Sequence, residues 1–352
     1  MTGPTRRAFV HGLVASGACI AAAAIAQGPH SGPAMDLSFV NPELRPFAAM
    51  MMQQAAGFPD PTRETLPAAR KGMAGMLPPP APSPAYTKRA IKGLAGAPDV
   101  TVYVINAQHG QHKPAIVHTH GGGFIMGDAV SMIAPLQAMA AALDCVIVTV
   151  DYRLAPETTF AGSIDDNYAA LKWTYDNAAQ LGVDRARIAV MGESAGGGHA
   201  ALLAIAARDR GEVPVMFQML IYPMLDDRTG TVITPAPPIG KILWTPSKNR
   251  FGWECFLGQE PGTASVPARA VPARQSSLKG LPPAFIGVGS IDLFVDEDIA
   301  YARRLIDTGI PAELMIVPGA FHGFDGIAAQ TTIAKRFTQA KLDALRTAFT
   351  PA

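Results

Sequence analysis

Gly192-Glu193-Ser194-Ala195-Gly196 puts a serine between two glycines. It follows the apolar run Arg187–Met191 and precedes an Ala-rich stretch over 200–208. A G-x-S-x-G turn between strand and helix holds its serine on a strained backbone, with the hydroxyl projecting from the sheet edge. A side chain at 192 or 196 would collide with the neighbouring strand or helix, so glycine is needed at both. The helix start behind the serine favours developing negative charge.

A serine hydroxyl is a weak nucleophile until a base removes its proton, and the base needs an orienting acid. His322, in Gly319-Ala320-Phe321-His322-Gly323-Phe324, follows the last apolar run directly and sits on a glycine-flanked turn. His199 lies five residues past Ser194 on the same helix and cannot turn back to it. His109 and His112 fall in a polar turn and are expected to face solvent. Asp292 is the first carboxylate after the penultimate apolar run and has apolar neighbours. Asp296, Glu297 and Asp298 read instead as the cap and acidic first turn of the next helix.

His118-Thr119-His120-Gly121-Gly122-Gly123-Phe124 admits three chemistries. A metal site needs a third ligand, and His118 and His120 point to opposite faces of a strand. A phosphate loop needs a lysine and a Ser/Thr at the helix start, and both are missing. Acyl transfer, by contrast, develops an oxyanion best held by preorganised backbone N–H groups. Gly122 and Gly123, with Ala195, are the expected donors. His120 is expected to hold the loop by a hydrogen bond.

These residues require a scaffold that brings distant strand ends together. Val100–Val104 alternates as a strand should, and Ala115–His118, Val146–Val150, Arg187–Met191, Met216–Tyr222, Ala284–Val288 and Leu314–Val317 also read as strands. Helical spacing appears through Ile164, Tyr168, Leu171 and Tyr175, and over 200–208, 297–308 and 331–349. Strands apolar on both faces, alternating with helices, predict an α/β fold with a mostly parallel sheet covered on both sides. Chemistry then collects beyond the carboxyl ends of the strands.

Residues 27–98 are rich in Pro, Met and Ala and show no alternating pattern, which predicts short helices joined by proline breaks. The segment from about 226 to 281 is too long for an ordinary connection and carries Trp244, Phe251, Trp253 and Phe256. It is expected to fold over the site together with residues 35–95. The core is expected over 99–352.

The chain has 352 residues, 49% hydrophobic and 16% charged, which excludes a disordered or coiled-coil protein. Net charge is +1 with no clustered basic face, so nucleic acid is not an expected partner. The three cysteines lack metal-ligand spacing; Cys145 reads as core and Cys255 as part of an irregular segment. Arg6-Arg7, the apolar stretch to Ala26 and the small residues Ala24 and Ala26 resemble a twin-arginine export signal over residues 1–26. Periplasmic or secreted localisation is expected, with no stable membrane insertion after its removal. Cys19 would leave with it.

Taken together, HGGGF with Gly127-Asp128, then Asp151-Tyr152-Arg153-Leu154-Ala155-Pro156-Glu157, GESAGG, the Asp292 segment and FHGF resemble the hormone-sensitive lipase-like (family IV) esterases of the α/β-hydrolase fold. The likeness spans roughly residues 100–345, and the order Ser194, Asp292, His322 is the α/β-hydrolase order. Two positions depart from that pattern. Glu193 stands where the family usually has Asp, and Leu293 where it usually has Pro after the acid. The resemblance implies hydrolysis of short- to medium-chain acyl esters, a cap built from the N-terminal helices and the insertion, and no cofactor. It implies a structural role for DYRLAPE, with Asp151 outside the catalytic set. The expected partner is a small-molecule ester. A deacetylase, lactonase, amide hydrolase or non-catalytic ligand-binding protein on the same fold stays open, as does a homodimer.

Overall fold

Side chains alternate across a strand, so a strand that is apolar throughout needs cover on both faces. Val117, Val148 and Val190 enter one buried cluster, while their chain neighbours Ile116, Ile147 and Met191 enter another on the opposite face. The computed structural model, which describes residues 36–57, 60–73 and 78–350, thus has one sheet between two apolar layers. The proposed export signal lies outside the described residues.

In chain order the main elements are α1 (Arg45–Gly57), α2 (Leu66–Met73), β1 (Tyr86–Ile91), β2 (Val100–Ile105), β3 (Lys113–Thr119), α3 (Ile133–Leu143), β4 (Val146–Asp151) and α4 (Phe160–Asp176). There follow β5 (Val183–Glu193), α5 (Ala195–Arg210), β6 (Phe217–Ile221), α6 (Pro246–Leu257), β7 (Ala284–Gly289), α7 (Val295–Asp307), β8 (Ala312–Val317) and α8 (Thr332–Phe349). The eight strands are ordered β1-β2-β4-β3-β5-β6-β7-β8. The pairs β1–β2 and β2–β4 are antiparallel and the rest parallel. All strands from β3 onward therefore end on one edge of the sheet. Residues of α4, α5 and α6 pack in one layer, and residues of α3 and α8 in the other.

Two sequence-based expectations need correction, and one helix carries no mark in the sequence. Residues 86–91 form a strand rather than another short helix, with Ile91 opposite Val100. Five of the six β1 residues are exposed, so no apolar alternation marks it. Helix α3 has no counterpart in the periodic runs, because its Ala-rich sequence carries little amphipathic signal. Cys255 lies in the regular helix α6 and is buried. Asp296, Glu297 and Asp298 do form the acidic first turn of α7, and within it Glu297 is buried and accepts from the amides of Leu225 at 2.6 Å and Asp226 at 3.1 Å.

The N-terminal segment is anchored to the sheet end. Val40 and Leu44 are buried in the α8-side layer. The Asn41 amide donates to Gly319 O at 2.9 Å, on the turn that leads to His322. Met51 and Met52 pack partly buried against the same layer. No helix among the described residues is long and apolar enough to cross a membrane.

Candidate active site

β5 ends at Glu193 and α5 begins at Ala195, so one residue must make the whole turn. That residue is Ser194, at φ 58° and ψ −124°. Its amide donates to Ile221 O at 2.9 Å, and its carbonyl accepts from Gly198 and Met224, both at 3.0 Å. The neighbouring glycines permit the close packing. A Cβ on Gly192 would sit 2.2 Å from Gly196 O, and one on Gly196 would sit 2.0 Å from Thr119 O on β3.

The β7 and β8 ends meet beside this turn. Ile291 N donates to Ala320 O at 3.2 Å, and Gly319 N donates to Ser290 Oγ at 2.8 Å. This interlock places Asp292 and His322 face to face. His322 Nδ1 is 2.9 Å from Asp292 Oδ2, and His322 Nε2 is 2.9 Å from Ser194 Oγ. With Asp292 accepting, Nδ1 carries the proton and Nε2 offers its lone pair to the serine hydroxyl. Asp292 Oδ1 also accepts from Phe294 N at 3.0 Å, which fixes the carboxylate. All three side chains are buried, and Tyr222, Phe294 and Trp244 surround the imidazole at ring separations of 4.8, 5.2 and 6.4 Å. Tyr222 in turn donates to Asp325 at 2.9 Å, and Asp325 pairs with Lys341 in a buried network behind the ring.

The glycine loop after β3 lies against the same serine. A Cβ on Gly121 would be 3.5 Å from Ser194 Cβ. Gly122 and Gly123 adopt φ 127° and 62°, conformations that favour glycine. The Gly122 carbonyl accepts from Ile125 N at 3.1 Å and Met126 N at 3.0 Å. Among the described residues, the amides of Gly122, Gly123 and Ala195 donate no hydrogen bond within the protein. The loop is thus held by its acceptors while its donors stay free.

His120 secures this loop: its Nδ1 donates to Gly121 O at 2.8 Å and its ring stacks on Tyr152 at 4.2 Å. Burial holds the His120 imidazole below its usual range, so it is neutral. Tyr152 OH donates to His120 O at 2.6 Å, and Asp151 accepts from Ala129 N at 3.2 Å. The DYRLAPE segment thereby buttresses the loop from behind. His118 turns the other way, between Thr149 Oγ1 at 2.8 Å and Glu193 Oε2 at 2.9 Å. His199 sits among Phe124, Tyr152 and Phe256, away from the serine, while His109 and His112 are exposed. No group of three or more His, Cys, Asp or Glu among the described residues is arranged to hold a metal ion.

The segment over 226–281 supplies Trp244. Its indole Nε1 donates to Asn249 Oδ1 at 3.1 Å, and Asn249 Nδ2 donates to Thr229 O at 2.7 Å. Locked this way, the ring lies directly over Gly123. Arg70 of α2 reaches the same loop, donating to Ile125 O at 2.7 Å. No motif marks Arg70 or Asn249 in the sequence; the contacts exist only in three dimensions.

A model of the α/β-hydrolase fold matches residues 116–326. The esterase LipI of Mycobacterium tuberculosis is 36% identical over 261 residues, 73% of this chain and 80% of that protein. Carboxylesterase NlhH of Mycobacterium tuberculosis is 37% identical over 241 residues, 67% of this chain and 74% of that one. Among solved structures, a bacterial heroin esterase superposes with a TM-score of 0.78 at 34% identity, covering 90% of this chain and 100% of that one.

Proposed function

The chain belongs to the hormone-sensitive lipase-like (family IV) branch of the α/β-hydrolase family, and from that premise we propose that it hydrolyses carboxylic esters through a serine acyl-enzyme. The observation that carries this reading is the unbroken hydrogen-bond chain Ser194–His322–Asp292 beside three free backbone amides.

The reaction follows from the geometry. His322 Nε2 takes the Ser194 proton as Oγ attacks the ester carbonyl. Negative charge gathers on the carbonyl oxygen, and the amides of Gly122, Gly123 and Ala195 receive it. Asp292 stabilises the imidazolium that forms and keeps its orientation. His322 then protonates the departing alcohol. Water attacks the acyl-enzyme by the same route in reverse, which returns the serine. One oxyanion donor contributes roughly 3 kcal/mol of transition-state stabilisation.

Short- to medium-chain acyl groups fit this reading best. The indole of Trp244 stands over Gly123 of the oxyanion turn, and on this reading it bounds the acyl group. The names of the relatives, esterase and carboxylesterase, support carboxylic esters as the substrate. The Arg6-Arg7 leader supports export; R6K/R7K should leave the protein in the cytoplasm, and unaltered export of that variant would count against the assignment.

The central test is a p-nitrophenyl ester assay paired with fluorophosphonate labelling. Wild-type protein should turn over the ester and label at Ser194. Ser194→Ala should fold, lose labelling and lose turnover. Full activity in that variant would end the proposal.

A further inference from the structure

Arg70 joins three segments that are distant in sequence. Its Nε donates to Ile125 O at 2.7 Å, and Nη2 donates to Ala155 O at 2.8 Å. Nη1 and Nη2 close a two-pronged pair on the Glu157 carboxylate at 2.7 and 2.8 Å. This contact holds the Glu157 carboxyl below the usual carboxylate range. Four N–H directions of one guanidinium are therefore committed, in the planar geometry that arginine offers and lysine lacks.

What Arg70 grips gives the contact its meaning. Ile125 closes the oxyanion turn through its own amide to Gly122 O, and Ala155 N donates to Phe124 O at 3.0 Å. The carbonyls of His120 and Gly121 are held by Tyr152 and His120. Gly123 O rests against Gly252 of α6, where a Cβ would approach to 2.6 Å. Of these restraints, the one on Ile125 O comes from the N-terminal segment, through a helix whose Leu66 packs into the apolar layer beside it.

We propose that Arg70 is a positioning residue that couples the docking of α2 to the shape of the Gly122–Gly123 turn. The proposal rests on the serine-hydrolase reading above. When α2 is seated, the guanidinium holds the Ile125 and Ala155 carbonyls and the turn keeps its amides aimed at the oxyanion. When Arg70 is lost, the turn relaxes and those amides misalign. Misplacement of about 1 Å at such a site costs up to about a hundredfold in rate. Glu157 is mostly exposed, so its share is smaller than that of the carbonyl contacts.

The test uses the full chain with Arg70→Lys, Arg70→Met and Glu157→Gln. On p-nitrophenyl acetate, both Arg70 variants should lose roughly tenfold to a hundredfold in kcat with KM changed little. Affinity for a boronic acid that mimics the tetrahedral intermediate should fall by the same factor. Glu157→Gln should cost less than about threefold. A purely structural role would lower the melting temperature and leave kcat and boronate affinity of the folded protein unchanged; that result, in whichever Arg70 variant folds, overturns the proposal. Fluorophosphonate labelling separates the two levels. Unlabelled wild-type Ser194 defeats the serine-hydrolase reading itself. Labelled Ser194 with wild-type kcat in the Arg70 variants defeats the positioning role alone.

Discussion

Glu193 Oε2 and His118 Nε2 are 2.9 Å apart directly beneath the nucleophile, and the far side of the same imidazole meets Thr149 Oγ1 at 2.8 Å. His118 and Thr149 are register partners on β3 and β4, so Glu193 ties the end of β5 to both strands. The family usually carries Asp at this position, which is one methylene shorter. Glu193→Asp should withdraw the carboxylate and leave a buried ring nitrogen without its partner, at about 1–3 kcal/mol. Glu193→Gln keeps an acceptor at the right length and should cost less. Urea unfolding of both variants checks this, and equal midpoints for Asp, Gln and wild type would remove the contact from the account.

Trp244 occupies the space that a side chain on Gly123 would need: a Cβ there would lie 2.1 Å from the indole. Trp244→Ala should open the region over the oxyanion turn. The ratio of kcat/KM for an octanoyl over a butanoyl ester should rise roughly tenfold, as expected when apolar contacts of a few methylenes become available. Gly123→Ala should do the opposite damage and lower kcat on every ester, because either the turn or the indole must move. An unchanged chain-length profile in Trp244→Ala would show that the indole does not bound the acyl group.

Ser194 holds its place on the one-residue turn under backbone strain, because φ 58° and ψ −124° suit glycine rather than a residue with a Cβ. Ser194→Gly and Ser194→Ala should both lack turnover. The glycine variant should nevertheless be the more stable of the two by about 1 kcal/mol. Denaturant titration of the pair tests this, and a less stable glycine variant would argue that the turn is unstrained.

His199 predicts a pH dependence of stability. Burial among aromatic rings, with the nearby His120 adding to it, pushes its pKa down to about 3. In the unfolded chain the ring titrates near about 6.5. Its folded pKa is depressed, so the neutral native ring costs nothing above about pH 6.5. As pH falls below that value the unfolded chain takes up a proton that the native state refuses, and stability drops until about pH 3. The slope is at most about 1.4 kcal/mol per pH unit. His199→Leu should flatten the loss between pH 6.5 and 4 in urea unfolding. An unaltered slope would place the acid sensitivity elsewhere, with His120 the next candidate.

Much of this protein is legible in its sequence. A strand buried on both faces must be apolar throughout, so β3 to β7 announce themselves as runs. A serine on a one-residue turn needs glycines around it, and an amide-lined loop needs glycines within it, so those sites leave a local mark. His322 and Asp292 follow from position, since each is the first suitable group after its strand. Strand β1 left no mark because an exposed edge carries no apolar pattern. Helix α3 left none because alanines give little periodicity.

Distance between segments belongs to the tertiary structure alone. Hydrogen bonds and close packing act over a few ångströms in space and are indifferent to separation along the chain. Arg70 meets Glu157 across 87 residues, and Glu193 meets His118 across 75. Nothing local to either partner requires the other, so composition and spacing settle the type of chemistry, whereas packing decides which side chains hold it in place.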